Sequence, residues 1–292
     1  TLTLAENAKD AEAWLLSLGA PFCHRMGRGG GQTAARGHGP CDGSAVGQSV
    51  MKVLYGTAKK IPTIEIRPLN QVTELLTNYG KIDILWFDFA YGELRGEAWK
   101  ATKLMQMVRS HQPDVIVDNR LEASGEGFGS LVTEHPAYYS GDFVSPEQLL
   151  PPEGIRNVRG ERVPWELCAT MNNNWGYTPY DTCYKPASML IRKLVECVSK
   201  GGNLILNVGP DATGRFPAQS CRLLDEIGAW MALNGESIYG CGSADVPKPD
   251  WGWYTKKEGR IYAHVLEAPL GPLALTGLAP ERIGAVRRLA DG

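Results

Sequence analysis

A carboxylate closes an apolar run in Ile82-Asp83-Ile84-Leu85-Trp86-Phe87-Asp88. A short run this apolar, interrupted only by Asp83, reads as a buried strand with Asp88 at its exit. A carboxylate at the carboxyl end of a buried parallel strand is held by the scaffold while its head faces the loops. That placement suits a nucleophile or a proton donor and acceptor. The plainer role for the same residue is a strand-ending Asp that caps the next turn.

The segments that follow decide between these roles by their order. They are Val117-Asp118-Asn119-Arg120, Gly141-Asp142-Phe143-Val144-Ser145-Pro146-Glu147-Gln148, Trp165-Glu166-Leu167-Cys168, Asn172-Asn173-Asn174-Trp175-Gly176-Tyr177, Gly201-Gly202-Asn203-Leu204-Ile205-Leu206-Asn207 and Asn234-Gly235-Glu236-Ser237. Together, from about Val72 onward, they resemble the alpha-L-fucosidases of glycoside hydrolase family 29. The resemblance implies a retaining exo-glycosidase that removes terminal alpha-L-fucosyl residues from oligosaccharides or glycoconjugates without a metal or other cofactor. It also implies an α/β fold, a (β/α)8-type TIM barrel with a small C-terminal antiparallel β-sandwich.

Such chemistry needs two carboxylates about 5 to 5.5 Å apart, one attacking the anomeric carbon and the other protonating the leaving oxygen. By the resemblance, Asp88 is the nucleophile and Glu147 stands where one branch of the family keeps its acid/base. Glu122, Glu126, Glu134, Asp142 and Glu166 are rivals for the second role. Arg120 matches an arginine that contacts sugar and carboxylate, and a guanidinium beside Asp88 would keep it ionised. Trp175 would offer a flat apolar wall to a deoxy sugar, with Tyr177 beside it, or else pack in the core. Trp86 fits packing and a sugar subsite equally.

One departure opens other functions. The family carries histidines on loops before its nucleophile strand, notably in a His-Asp-Gly-Phe segment, and nothing in residues 1–87 matches it. His24 and His38 sit in Gly/Arg-rich text instead. The barrel is therefore expected to be incomplete on its N-terminal side. A weakly active or non-catalytic fucose-binding protein, keeping Arg120 and Trp175, is the second reading, and an assembly module with open sheet edges is the third.

The elements that must position these residues follow from periodicity. Leu4, Ala8, Ala11, Leu15 and Leu18 recur at helical spacing, and residues from His24 to Pro40 then read as flexible loop. Pro62 to Ile66 is a candidate strand and Asn70 to Tyr79 a helix. A helix from Gly96 to His111 turns Trp99, Leu104, Met105 and Val108 inward. Further strands start at Asp114 and Asn203, a helix spans Ser188 to Lys200, and a last helix from Pro217 buries Leu224, Ile227 and Met231. Strands alternating with helices predict a parallel sheet. Beyond Gly240, residues 251–266 read as a hairpin, with more short strands at 273–275 and 283–289. The predicted organisation is a catalytic barrel domain over residues 1–240, irregular over 1–60, and a sandwich fragment over 241–292, ending in turn-like text at Asp291-Gly292.

Composition excludes other classes. The 292 residues, 43% hydrophobic and 21% charged, can bury a large core. A net charge of -2 leaves no electrostatic footprint for nucleic acid, and no apolar run approaches a membrane span. No signal peptide is visible after Thr1-Leu2-Thr3, so cytoplasmic and secreted locations both stay open, as does a homo-oligomer. Seven cysteines without a CxxC predict reduced, mostly buried thiols. Cys23, His24, His38 and Cys41 suit zinc by type but match no common ligand spacing, so no metal is expected.

Overall fold

The computed structural model describes residues 13–27, 37–40, 53, 54, 56, 57, 60, 70–88, 90–125 and 127–289. The chain divides into two compact units, Thr1–Val72 and Thr73–Gly292.

In the first unit, residues 13–17 are helical, while Leu4, Ala8 and Ala11 lie outside the described residues, as does the strand expected at Pro62 to Ile66. Strands β1 (Phe22–Gly27) and β2 (Gly37–Pro40) pair antiparallel, with Met26 opposite His38 and Gly27 opposite Gly37. The expected loop is thus partly a ribbon. The ladder runs on backbone groups, which glycine supplies as well as any other residue.

The second unit is α/β. Helix α1 (Asn70–Asn78) leads to β3 (Ile84–Leu85), α2 (Ala101–His111) and β4 (Ile116–Val117), which pairs parallel to β3. Residues 143–148 continue the sheet. Phe143 bridges Asp118, and Val144 and Glu147 bridge Trp165 and Cys168, all in parallel. Next come β5 (Glu166–Thr170), α3 (Ala187–Ser199), β6 (Asn203–Asn207), parallel to β5, and α4 (Ala218–Asn234). Five parallel segments therefore lie side by side in chain order. The crossings into residue 143 and from residue 148 to β5 contain no α-helix.

Helix α3 buries Ala187 and Leu190 with Met171 and Leu223, and sets Cys197 among Val144, Trp165 and Leu167. Each of the buried Leu, Val and Met side chains contributes roughly 1.5–3 kcal/mol relative to exposure. The expected strands are shorter than read and buried on one face only. Leu85 and Val117 are buried register partners, but Ile84 and Ile116 are about half exposed, as is Ile205 on β6. Among the described residues no strand pairs beyond β3 or β6.

Two inward positions need correction. Leu104, Met105 and Val108 are buried on α2, but Trp99 is exposed. The chain before α2 is a 3-10 turn, Gly96–Trp99, broken by Lys100 at φ +54°, which swings Trp99 outward so that its indole donates to Leu94 O at 2.6 Å. On α4, Ile227 and Met231 pack inward as expected, but Leu223 rather than Leu224 is buried.

Beyond β7 (Gly242–Ser243), β8 (Gly252–Lys257) and β9 (Arg260–Val265) form the expected hairpin through Glu258 and Gly259, both at positive φ as a tight two-residue turn requires. The three strands make one antiparallel sheet, and Trp253 packs it against Val195, Val198 and Ile238. Residues 273–275 and 283–289 are not strands. The first of them is held to the sheet by side-chain donors instead, Trp251 Nε1 giving to Ala274 O at 2.9 Å and, just beyond it, Tyr254 Oη to Thr276 O at 3.3 Å. Among the described residues no helix is long and apolar enough to cross a membrane.

Candidate active site

The ends of β3 and β4 and of the segment 143–148 converge on Arg120. This guanidinium is almost fully buried, at 1% exposure. Its Nη1 donates to Asp88 Oδ1 at 3.1 Å and to Glu147 Oε2 at 3.0 Å, and its Nη2 donates to Ser145 O at 3.2 Å. Both carboxylates are about one-quarter exposed. One nitrogen thus serves two carboxylate oxygens, which can be no further apart than those two distances laid end to end. The Arg120 guanidinium also lies over the Trp86 ring, 4.3 Å from its centroid.

Asp118 builds the floor of this cluster. Fully buried, it accepts the Phe87 N–H through Oδ1 at 3.1 Å and the Arg120 N–H at 3.4 Å. The same oxygen therefore fixes the backbone immediately before Asp88 and at Arg120. Burial pushes the Asp118 carboxyl up to about 7, against the pull of those two N–H groups and of the Arg120 charge. Several buried polar atoms here lack a partner: Asp118 Oδ2, Asn119 Nδ2, Arg120 Nε and Ser145 Oγ. Unpaired buried groups are costly and concentrate where a site demands them.

The rival carboxylates are placed elsewhere. Asp142 Oδ2 pairs with Arg109 at 2.6 Å and accepts the Val117 N–H at 2.8 Å. Glu122 braces a loop by accepting both the N–H and the hydroxyl of Ser130. Glu134 is exposed, and Glu126 lies outside the described residues. Glu166 is held on β5, where burial raises its carboxyl; Trp86 Nε1 makes no well-formed hydrogen bond, yet the indole is near enough to oppose that rise.

Sequence reasoning brought together Asp88, Arg120, Glu147 and Trp86, and the structure places these four in one cluster. Trp175 and Tyr177 stand apart on the loop after β5, both side chains exposed, with that loop tied to β6 by Asn207 Nδ2 donating to Trp175 O at 2.7 Å. Asp118 was legible only as part of a motif. Its place directly after the apolar run that ends in Val117, two residues before Arg120, was the available signal.

Among the described residues no three His, Cys, Asp or Glu gather into a metal set, and the side chains of Cys23, His24, His38 and Cys41 lie outside them. Of the free cysteines, Cys168 and Cys197 are buried, but Cys183 and Cys221 are exposed, so the expectation of mostly buried thiols holds only for the strand and helix interior.

Residues 57–236 match the family model described as alpha-L-fucosidase. The chain belongs to the alpha-L-fucosidase family. It is 32% identical to an alpha-L-fucosidase of Dictyostelium discoideum over 69% of its own length and 41% of the relative's. Among solved structures it is similar to alpha-L-fucosidase isoenzyme 1 of Paenibacillus thiaminolyticus, with 50% identity and a TM-score of 0.68 over 77% of this chain and 50% of that one. It is also similar to a Bacteroides thetaiotaomicron family 29 alpha-L-fucosidase solved as a trapped covalent intermediate with 2-fluoro-fucosyl fluoride. That likeness is at 27% identity and a TM-score of 0.58, over 77% of this chain and 50% of that one. The chain thus spans about half the length of the fucosidases it matches.

Proposed function

We propose that this fucosidase-family chain carries the catalytic carboxylates of a retaining exo-alpha-L-fucosidase acting on fucosylated oligosaccharides or glycoconjugates. The observation that carries the reading is the single Arg120 Nη1 bridging Asp88 and Glu147. Because the shared nitrogen limits how far apart those two oxygens can be, it supports direct attack by one carboxylate over the wider gap that admits a water between sugar and base. The covalent intermediate of the Bacteroides relative supports the same choice.

In the first step an Asp88 oxygen bonds to the anomeric carbon as the bond to the leaving oxygen breaks, and Glu147 gives that oxygen its proton. In the second, Glu147 takes a proton from water, the water oxygen bonds to the anomeric carbon, and the ester to Asp88 breaks to release fucose. Arg120 donates to Asp88 Oδ1 and so holds that carboxylate in line for attack. Trp175 and Tyr177, on an exposed loop, supply aromatic faces for the apolar side of the sugar. The five parallel segments form the C-terminal part of a (β/α)8-type barrel within a catalytic domain reaching residue 240, and the three-stranded sheet begins the C-terminal domain.

A fucose-binding protein without turnover is the weaker reading, because pure binding has no use for two carboxylates on one guanidinium. Release of the aryl alcohol from an aryl alpha-L-fucoside by the purified chain, with the alpha anomer of fucose appearing first, is the expected result. Absence of turnover would sink the enzymatic reading, and a first-formed beta anomer would sink the retaining one.

A further inference from the structure

We infer that Gln148 is a positioning residue that holds Glu147 against Arg120, through a left-handed backbone clamped to Thr170. The inference rests on the reading of Glu147 as acid/base. Gln148 has φ +56°, a conformation that costs a non-glycine residue free energy and persists only where the surroundings enforce it. Three bonds enforce it here. Its N–H donates to Cys168 O at 2.8 Å, its Nε2 donates to Thr170 Oγ1 at 3.0 Å, and its Oε1 accepts the Thr170 N–H at 3.4 Å.

Thr170 is itself immobilised. It is fully buried, its hydroxyl donates to Asn172 O, and Lys185 Nζ donates to Thr170 O at 2.7 Å and to Asn172 O at 2.8 Å. The clamp therefore ends in the carboxyl end of β5 rather than in a loose loop. On its other side the left-handed turn folds the chain back sharply. Leu149 N–H returns to Glu147 O at 2.6 Å, and the Leu149 side chain is thrown into solvent.

Gly125 closes the opposite wall. A β-carbon there would meet Glu147 Oε2 at 2.8 Å, and φ +74° already excludes most side chains. Glu147 is thus confined between the α-carbon of Gly125, the Arg120 guanidinium and a backbone whose direction Gln148 sets. A proton donor must be held to well under an ångström to meet the leaving oxygen, which is what this confinement supplies.

The test compares Gln148→Ala with Gln148→Gly, the second removing the clamp while leaving the backbone free of strain at φ +56°. Turnover of fucosides with poor leaving groups is expected to fall about 10- to 100-fold, with a much smaller loss on activated aryl fucosides. Adding Gln148→Gly to Glu147→Ala is expected to change nothing further, because the residue to be positioned is gone. Equal losses across leaving groups that add to those of Glu147→Ala would overturn the inference.

A crystal structure of Gln148→Gly gives a reading that needs no activity. Glu147 Oε2 is expected to leave Arg120 Nη1. Its remaining within hydrogen-bond reach would overturn the positioning role, whereas an inactive parent chain would count against the fucosidase reading alone.

Discussion

The Arg120 guanidinium lies over the Trp86 indole while the same group binds Asp88 and Glu147. The stacked ring fixes the plane of the fork, and the plane fixes where both carboxylates can sit. Lysine at this position keeps the charge but is a point donor that cannot stack on Trp86 and hold three oxygens at once. Arg120→Lys is therefore expected to fold with a lowered melting temperature and to lose about 100-fold in kcat/KM on aryl fucosides. Kinetics close to those of the parent would remove the bridging role.

Asp88→Asn keeps the shape of the carboxylate but cannot form a glycosyl ester. Hydrolysis is expected to fall by at least about 1,000-fold with the melting transition preserved. External azide is expected to restore turnover as the inverted glycosyl azide. Near-normal hydrolysis by this variant would take Asp88 out of the mechanism.

Glu147→Ala removes the proton donor and should harm substrates with poor leaving groups far more than activated aryl fucosides, which depart without a proton. The comparison needs both substrate classes on parent and variant under the same conditions. A uniform loss would move the acid/base to another carboxylate. Glu166, half-buried on β5 with its carboxyl raised by burial, would then be the first to test.

What the sequence could reveal follows from how local each signal is. Asp88, Arg120 and Glu147 each stand at the end of a short apolar segment, so strand exits alone placed them at one rim. Their meeting at a single nitrogen depends on register between segments far apart in the chain, which no local pattern encodes. The exposure of Ile84, Ile116 and Ile205 was illegible for the same reason, since an apolar run reads alike whether one face or both are covered. Trp99 and Leu224 were misplaced because Lys100 breaks the helical phase in one case and a single-residue rotation of the buried stripe suffices in the other. Gln148 gave no signal at all, because a left-handed glutamine looks like any other until its partner Thr170 is in place.

Removing Asp118 by the isosteric Asp118→Asn should change how stability depends on pH. Its folded value of about 7 lies above the ordinary 3.8, so between these pH values the folded protein holds a proton that the unfolded chain has released. Its contribution is complete below about pH 3.8 and is lost as pH rises through 7, a change on the order of 4 kcal/mol. The asparagine variant lacks this loss. Denaturant titrations from pH 4 to 8 are expected to show its stability gaining on the parent as pH rises, and parallel curves would place the Asp118 carboxyl in the ordinary range.

His264 pulls the other way over nearly the same window. Thr255 Oγ1 gives its only hydrogen to Ser237 O at 2.7 Å, so it must accept from His264 Nε2 at 3.0 Å, which fixes the neutral tautomer protonated on Nε2. Burial lowers the imidazole from 6.5 to about 4, opposed by the Ser237 carbonyl. The unfolded chain therefore binds the extra proton first, and stability on the order of 3 kcal/mol, complete above about pH 6.5, is lost as pH falls toward 4. His264→Gln keeps an N–H aimed at Thr255 but cannot titrate, so between pH 4 and 6.5 its stability should fall as pH rises, exposing the Asp118 contribution that the parent masks. In the double variant Asp118→Asn/His264→Gln both slopes should vanish over that window. A His264→Gln curve that still rises with pH would show that another group, not this histidine, carries the acid sensitivity.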